Sequence, residues 1–265
     1  MKKFLAFAAV LCCISCVAFA ACGEVTSVEE ISIVKPVSTE IRAGDTFSLD
    51  YVTVPEEAAE SVKVNWEISD SRRLSYKNGE FTALTCGTVT VTARVKGNVA
   101  YDEIVLNVTA PTGFKESSGT GYTLVYPSSW IQSQLGAVRT WTASNGTTNM
   151  NITTEQLNAT YMTAPASSFQ AAYETTYSLM GYTVNFTEPV KVERSKYLGV
   201  RRVRVTSVYS LTALGMTSNI HQTQMIINNE DVNLSCVLTV TFREENFDES
   251  AMELQEKIFS LFMTT

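Results

Sequence analysis

The 265-residue chain has few of the groups that do chemistry. It holds a single histidine, His221. With neither a second histidine nor a nearby cysteine pair, that residue cannot form an ordinary zinc site. No G-x-S-x-G nucleophile elbow occurs, so a Ser-His-Asp site would have to be assembled around a histidine that falls in a predicted strand. The glycine-rich run Ser118-Gly119-Thr120-Gly121 lacks the lysine of a phosphate-binding loop and precedes a strand, so it reads as a turn. The calcium-loop pattern D-x-[DN]-x-[DN]-G is absent. Glu244, Glu245, Asp248 and Glu249 stand instead at a strand-to-helix junction, where acids suit a helix start.

Charge is also scarce, at 18% of residues, and the net charge is −7. That balance excludes the basic footprint on which nonspecific nucleic-acid binding depends. Arg201, Arg202 and Arg204 form the main basic cluster. On a strand, Arg202 and Arg204 share one face opposite Val203 and Val205, which predicts a solvated face, with an anionic-partner site as the alternative. No tandem repeat and no long block of one charge sign is present. Neither cofactor nor metal is expected, and the chain does not read as an enzyme.

What is present is apolar sequence, 45% of the chain, enough for proper cores in the two ordinary domains that its length allows. Much of it opens the chain. Lys2 and Lys3 precede an uncharged run from Phe4 to Ala21, followed by polar sequence from Gly23, the layout of a secretory signal. A single membrane-spanning helix is the competing reading. Four of the six cysteines fall in this region, in LCCISCVAFAACGE. Phe19-Ala20-Ala21-Cys22 resembles a bacterial lipobox. The resemblance implies a signal peptide at 1–21, a lipid on the Cys22 sulfur, and a protein held on the extracytoplasmic face of the bacterial cell membrane. Ordinary cleavage to a free secreted protein is the alternative. Loss of residues 1–21 removes both lysines and three cysteines, leaving 18 basic against 27 acidic residues, a formal charge of −9. Cys86 and Cys236 lie far apart and are expected as free thiols, Cys236 in a core.

Between residues 25 and 110, short alternating runs recur, among them Val64/Trp66/Ile68, Val89/Val91/Ala93/Val95 and Ile104/Leu106/Val108. Period-two alternation marks strands buried on one face, and Asn78-Gly79 suits a tight hairpin turn. The succession IRAGDTFSLDYVTVPEEA, VNWEISD, YKNGEFTAL and CGTVTVTARV resembles a group 2 bacterial Ig-like domain. It implies a β-sandwich with Trp66 in its core, turns at Gly79 and Gly87, and a spacer or adhesion role.

After Ala110-Pro111-Thr112-Gly113 the pattern changes. PASSFQAAYETTYSLMG switches to steps of three and four at Phe169, Ala172, Tyr173, Tyr177 and Met180, with Pro165 and Gly181 at the helix ends. Strands follow, the last of them NLSCVLTVTF, before a closing helix. GYTLVYPSSW, QTQMIINNEDVNLSCVLTVTF and the terminal IFSLF are similar to the PsbP-like family over 113–265. That similarity implies a noncatalytic binding or assembly domain, with Pro127 and Trp130 shaping the first strand's exit and the core.

The expected fold class is therefore two domains: an all-β Ig-like sandwich, then an α+β domain with an antiparallel sheet packed between helices. The expected role is a lipoprotein whose Ig-like stalk presents a binding domain to a protein or glycan partner. The alternatives are an adhesin that binds through the Ig-like domain, and an envelope hydrolase using carboxylates in a cleft. The anchor has a direct test. Labelling with a palmitate analogue is expected to mark the wild type and spare Cys22→Ala, and equal labelling of both would refute the assignment.

Overall fold

A computed structural model describes residues 27–59 and 62–265. The expected signal at 1–21 and Cys22 lie outside the described residues. In chain order the strands are β1 (Glu30–Ile33), β2 (Glu40–Arg42), β3 (Thr46–Phe47), β4 (Tyr51–Val54), β5 (Val64–Ile68), β6 (Leu74–Lys77), β7 (Glu80–Ala83), β8 (Gly87–Val95) and β9 (Tyr101–Thr109). Then come β10 (Phe114–Gly119), β11 (Tyr122–Pro127), β12 (Ile131–Leu135), β13 (Val138–Thr142), β14 (Asn149–Gln156) and helix α1 (Ala166–Leu179). The chain closes with β15 (Thr183–Phe186), β16 (Lys191–Tyr197), β17 (Val200–Ala213), β18 (Met216–Asn229), β19 (Leu234–Arg243) and helix α2 (Glu249–Ser260).

The expected fold class does not hold. Strand makes up 52% of the structure and helix 15%. The chain gathers into two compact units that interleave along the sequence: 27–34, Asp50–Glu67 and Thr92–Glu103 in one, and Lys35–Leu49, Ile68–Val91 and Ile104–Thr265 in the other. Nor is the large sheet packed between helices. One face carries α2 together with the β10–β11 ribbon, and the other carries α1 over only part of its width. Helix periodicity locates a helix without saying how wide a sheet it must cover. A helix about 10–12 Å across spans two or three strands set ~4.8 Å apart, not eight.

In the first unit β1 and β4 pair antiparallel, with Ile31 opposite Thr53 and Ile33 opposite Tyr51. Ile31, Ile33, Val28 and Thr53 are buried there. Trp66, implied as a core residue, is only half-buried and meets Tyr51 edge-on at 6.4 Å. Among the described strands, β5, which carries it, ends a sheet beside β8.

The second unit opens with β2 parallel to β9 and a β3-β7-β6 sheet. Asn78 and Gly79, with φ of 55° and 90°, make the tight turn between β6 and β7. Gly87, at φ 127°, begins β8 where a Cβ would collide with the Arg73 guanidinium. That guanidinium donates to the Cys86 carbonyl. Cys86 and Cys236 are both free and buried. Burial pushes their thiols up, to about 12 for Cys86, where Glu116 adds to the effect, and to about 11 for Cys236, so neither is a reactive thiolate at neutral pH.

The large sheet runs β12-β13-β14-β19-β18-β17-β15, with β16 also pairing with β17. In β19, Cys236, Leu238, Val240 and Phe242 enter one core with Trp141, Met150 and Ile152. Ala251, Ile258 and Phe259 of α2 complete it, joined by Phe262 and by Trp130 beyond β11. Asp248 starts α2 by accepting a hydrogen bond from the Ala251 N–H at 2.9 Å.

The same helix overturns the reading of Arg202 as solvated. Arg202 is 5% exposed and donates to the carbonyl oxygens of Phe259, at 3.0 Å, and Phe262. Phe259 lies in the last turn of α2 and Phe262 just past its end, where a cation is favoured. Burial pulls its guanidinium down to about 10, still charged at neutral pH. Arg204, on the same face, pairs with Glu256 of α2.

Two measurements follow. Phe259→Ala is expected to cost about 3–5 kcal/mol in denaturant unfolding, because a fully buried ring is removed from a closed core; a cost under ~1 kcal/mol would contradict that packing. The Ala251 N–H, helped by Ser250, holds the Asp248 carboxyl below its ordinary range. The cap thus stabilises the fold above the unfolded carboxylate's pKa and is lost as pH falls through the lowered folded value. Asp248→Asn keeps an acceptor, so its melting temperature is expected to fall less than the wild type's on acidification.

Candidate functional site

Where α1 leaves the second face uncovered, a cleft of about 500 Å³ opens in the second unit. Its floor follows from strand register. Thr140 of β13 stands opposite Asn151 of β14, Asn151 opposite Thr239 of β19, and Thr239 opposite Gln224 of β18. Because side chains alternate, these four share one face and form a continuous row of hydroxyls and amides across four strands. Below that row, Thr153, Val237 and Ile226 continue in register toward the α1 core. Above it, Thr142, Asn149, Thr241, Gln222 and Ser207 form a second row, of which Gln222 reaches the cleft.

The wall is α1. Its sequence steps place Phe169, Ala172, Tyr173, Thr176, Tyr177 and Met180 on one side. Only Phe169 and Tyr173 are buried, against Val190, Val203 and Val205. Ala172, Thr176 and Met180 are exposed toward the cleft. The stripe of three- and four-residue steps is thus core at one edge and cleft wall at the other.

Tyrosines dominate the electrostatics. Tyr177 and Tyr209 share a hydrogen bond of 2.9 Å between hydroxyls, and the Tyr209 hydroxyl donates to Gln222 Oε1. Tyr173 and Ser207 approach each other short of hydrogen-bonding geometry, leaving two buried hydroxyls with unused capacity. Burial pushes the Tyr173 and Tyr209 phenols well up. Tyr161, at the mouth, rises to about 12, chiefly by burial and then by Glu155, which lies outside the lining. All three stay neutral at ordinary pH. Among the described residues, no Asp, Glu, Lys, Arg or His lines the cleft. The facing carboxylates that a hydrolase reading calls for are therefore missing from it.

The residues singled out from the sequence lie elsewhere. Cys22 is outside the described residues. His221 lies on the opposite face of β18, stacked on Phe247 at 4.2 Å. Among the described residues no cluster of His, Cys, Asp and Glu could hold a metal ion. Of the arginine cluster, Arg201 lines a second cleft, which it shares with Glu230 and Asp231. Ser118 and Gly119 end β10, Thr120-Gly121 turns the chain into β11, and Gly121 O accepts from Asn229. Glu244 and Glu245 form a 3-10 turn before the Asp248 cap. Among the described residues no helix is long and apolar enough to cross a membrane.

The cleft itself was not foreseen. The signal present in the sequence was the run of threonine, asparagine and glutamine at alternate strand positions, in NMNITTEQ, NIHQTQMII and CVLTVTF.

No protein-family profile matches the sequence, and no curated protein sequence is significantly similar to it. Solved structures give partial likenesses. The Ran-binding protein Mog1p of Saccharomyces cerevisiae is 11% identical, over 57% of this chain and 95% of that one, with a TM-score of 0.38. A protein of Bacteroides thetaiotaomicron is 12% identical, over 58% of this chain and 49% of that one, at 0.30. A Pseudomonas aeruginosa protein of unknown function, described as a putative regulator, is 15% identical over 56% and 95%, at 0.30.

Proposed function

We propose that the protein is an extracytoplasmic bacterial lipoprotein, anchored through Cys22, that binds an uncharged ligand in the α1 cleft without chemically changing it. The anchor rests on the resemblance of Phe19-Ala20-Ala21-Cys22 to a lipobox, after the uncharged run from Phe4. The binding role rests above all on the lining of the cleft, which combines aromatic rings with amides and hydroxyls and lacks charge. Its size falls in the range of small-ligand pockets, about 300–1,000 Å³, and an apolar wall with a few polar groups is their usual make-up. General acid–base catalysis needs a group that titrates near the working pH within reach of the reacting proton. The titratable groups in the lining are phenols, and burial moves two of them further from neutrality.

Screening a library of neutral small molecules by NMR tests the site. Shift changes are expected to gather at Thr140, Asn151, Thr239 and Gln224, and to vanish in Thr176→Arg, which places a bulky cation on the exposed wall. Changes that gather instead at the cleft of Arg201 and Asp231 would move the site, and no response at all would refute it.

A further inference from the structure

We propose that the ligand of the α1 cleft is a neutral glycan, a proposal that rests on this cleft being the binding site. Three observations select that chemistry. Among the described residues the lining carries no charged side chain, so a charged ligand would lose its hydration with no counter-charge in return. A phosphate, a carboxylate or an ammonium is therefore disfavoured, whereas a sugar brings many polar groups and no charge.

The second observation is the mixture of donors and acceptors on the floor. Tyr209 occupies Gln222 Oε1, so Gln222 offers its amide N–H groups. Gln224 Nε2 donates to Thr239 Oγ1 at 3.4 Å, which leaves Gln224 Oε1 free to accept and the Thr239 hydroxyl free to donate. Asn151 and Thr140 extend the same row, with neighbouring strands ~4.8 Å apart. Sugar hydroxyls each donate and accept, and suit a row in which both roles alternate.

The third observation is the wall. Tyr161 and Tyr177 present half-buried rings to the cleft beside Tyr173. Aromatic faces carry negative quadrupole charge and attract polarised C–H groups. A pyranose offers such an apolar C–H face on one side and hydroxyls at its rim, so it can lie on the tyrosines while its edge meets the polar row.

A glycan array followed by calorimetry on the purified chain tests the proposal. The probes are neutral oligosaccharides of glucose, mannose and N-acetylglucosamine, with uronate- and sialate-bearing glycans and a neutral tyrosine-containing peptide as comparisons. A neutral oligosaccharide is expected to bind, with affinity falling roughly tenfold in Asn151→Ala and in Gln224→Ala. Thr176→Arg, on an exposed helix position, is expected to abolish binding while leaving the melting temperature close to wild type. Binding confined to acidic glycans, or unchanged in all three variants, would overturn the proposal. Perturbation of the cleft by the peptide or by other neutral molecules, with no glycan bound, would overturn the glycan and leave the cleft as the site. Silence from every probe would sink both readings.

Discussion

The register of four antiparallel strands, β14, β19, β18 and β17, is the constraint on which the core and the cleft both depend. Side chains alternate with a period of two, so a one-residue slip in any pair would exchange the two faces of that strand. The observed register sets Cys236 opposite Ile227 and Leu238 opposite Met225, which keeps one face apolar. The intervening positions carry Thr239, Gln224 and Asn151 to the other face together. Burying the apolar face is worth about 1.5–3 kcal/mol for each fully enclosed large side chain. Placing the amides there instead would leave them without partners. The polar row is thus held in place by the hydrophobic face behind it.

What covers each face then decides its character. The apolar side is closed by α2 and the β10–β11 ribbon, and its seal includes a charge. Arg202 reaches the carbonyls of Phe259 and Phe262, adding a charged donor in the last turn of α2 and just beyond it. The Arg202 ring-face contact with Tyr197, at 4.5 Å, offsets part of the cost of burying its charge. The opposite side is closed over part of its breadth, by a helix whose apolar stripe is shared between core and opening. Thr140, Asn151 and Gln224 can remain polar there because that part of the sheet is not sealed from water.

Much of the local structure was legible. Alternation in TVTVTARV and in NLSCVLTVTF marked strands, and Asn78-Gly79 marked a turn that the positive φ angles require. Pro165 and Gly181 bracketed α1, and Cys236 fell in the core at its expected parity. Trp66 and Arg202 were misread for one reason. The depth of a strand residue depends on what lies beside and above the strand, and a strand's own sequence does not contain that. Among the described strands β5 ends its sheet and Trp66 is half-buried, whereas α2 descends on β17, so Arg202 is enclosed.

By itself, then, the sequence determined the faces of the strands, the ends of the helices, the scarcity of catalytic groups and the composition of a region outside the described residues that resembles a lipoprotein signal. These are properties of neighbours along the chain, set by backbone periodicity and by which residues tolerate turns and caps. Only the tertiary structure decided which face was sealed, which arginine was buried and where a cleft remained. Arg202 meets carbonyls 57 and 60 residues away, and Thr140 shares its row with residues up to 99 positions distant. Such meetings depend on how eight strands and two helices share one limited surface, a competition that no local pattern records.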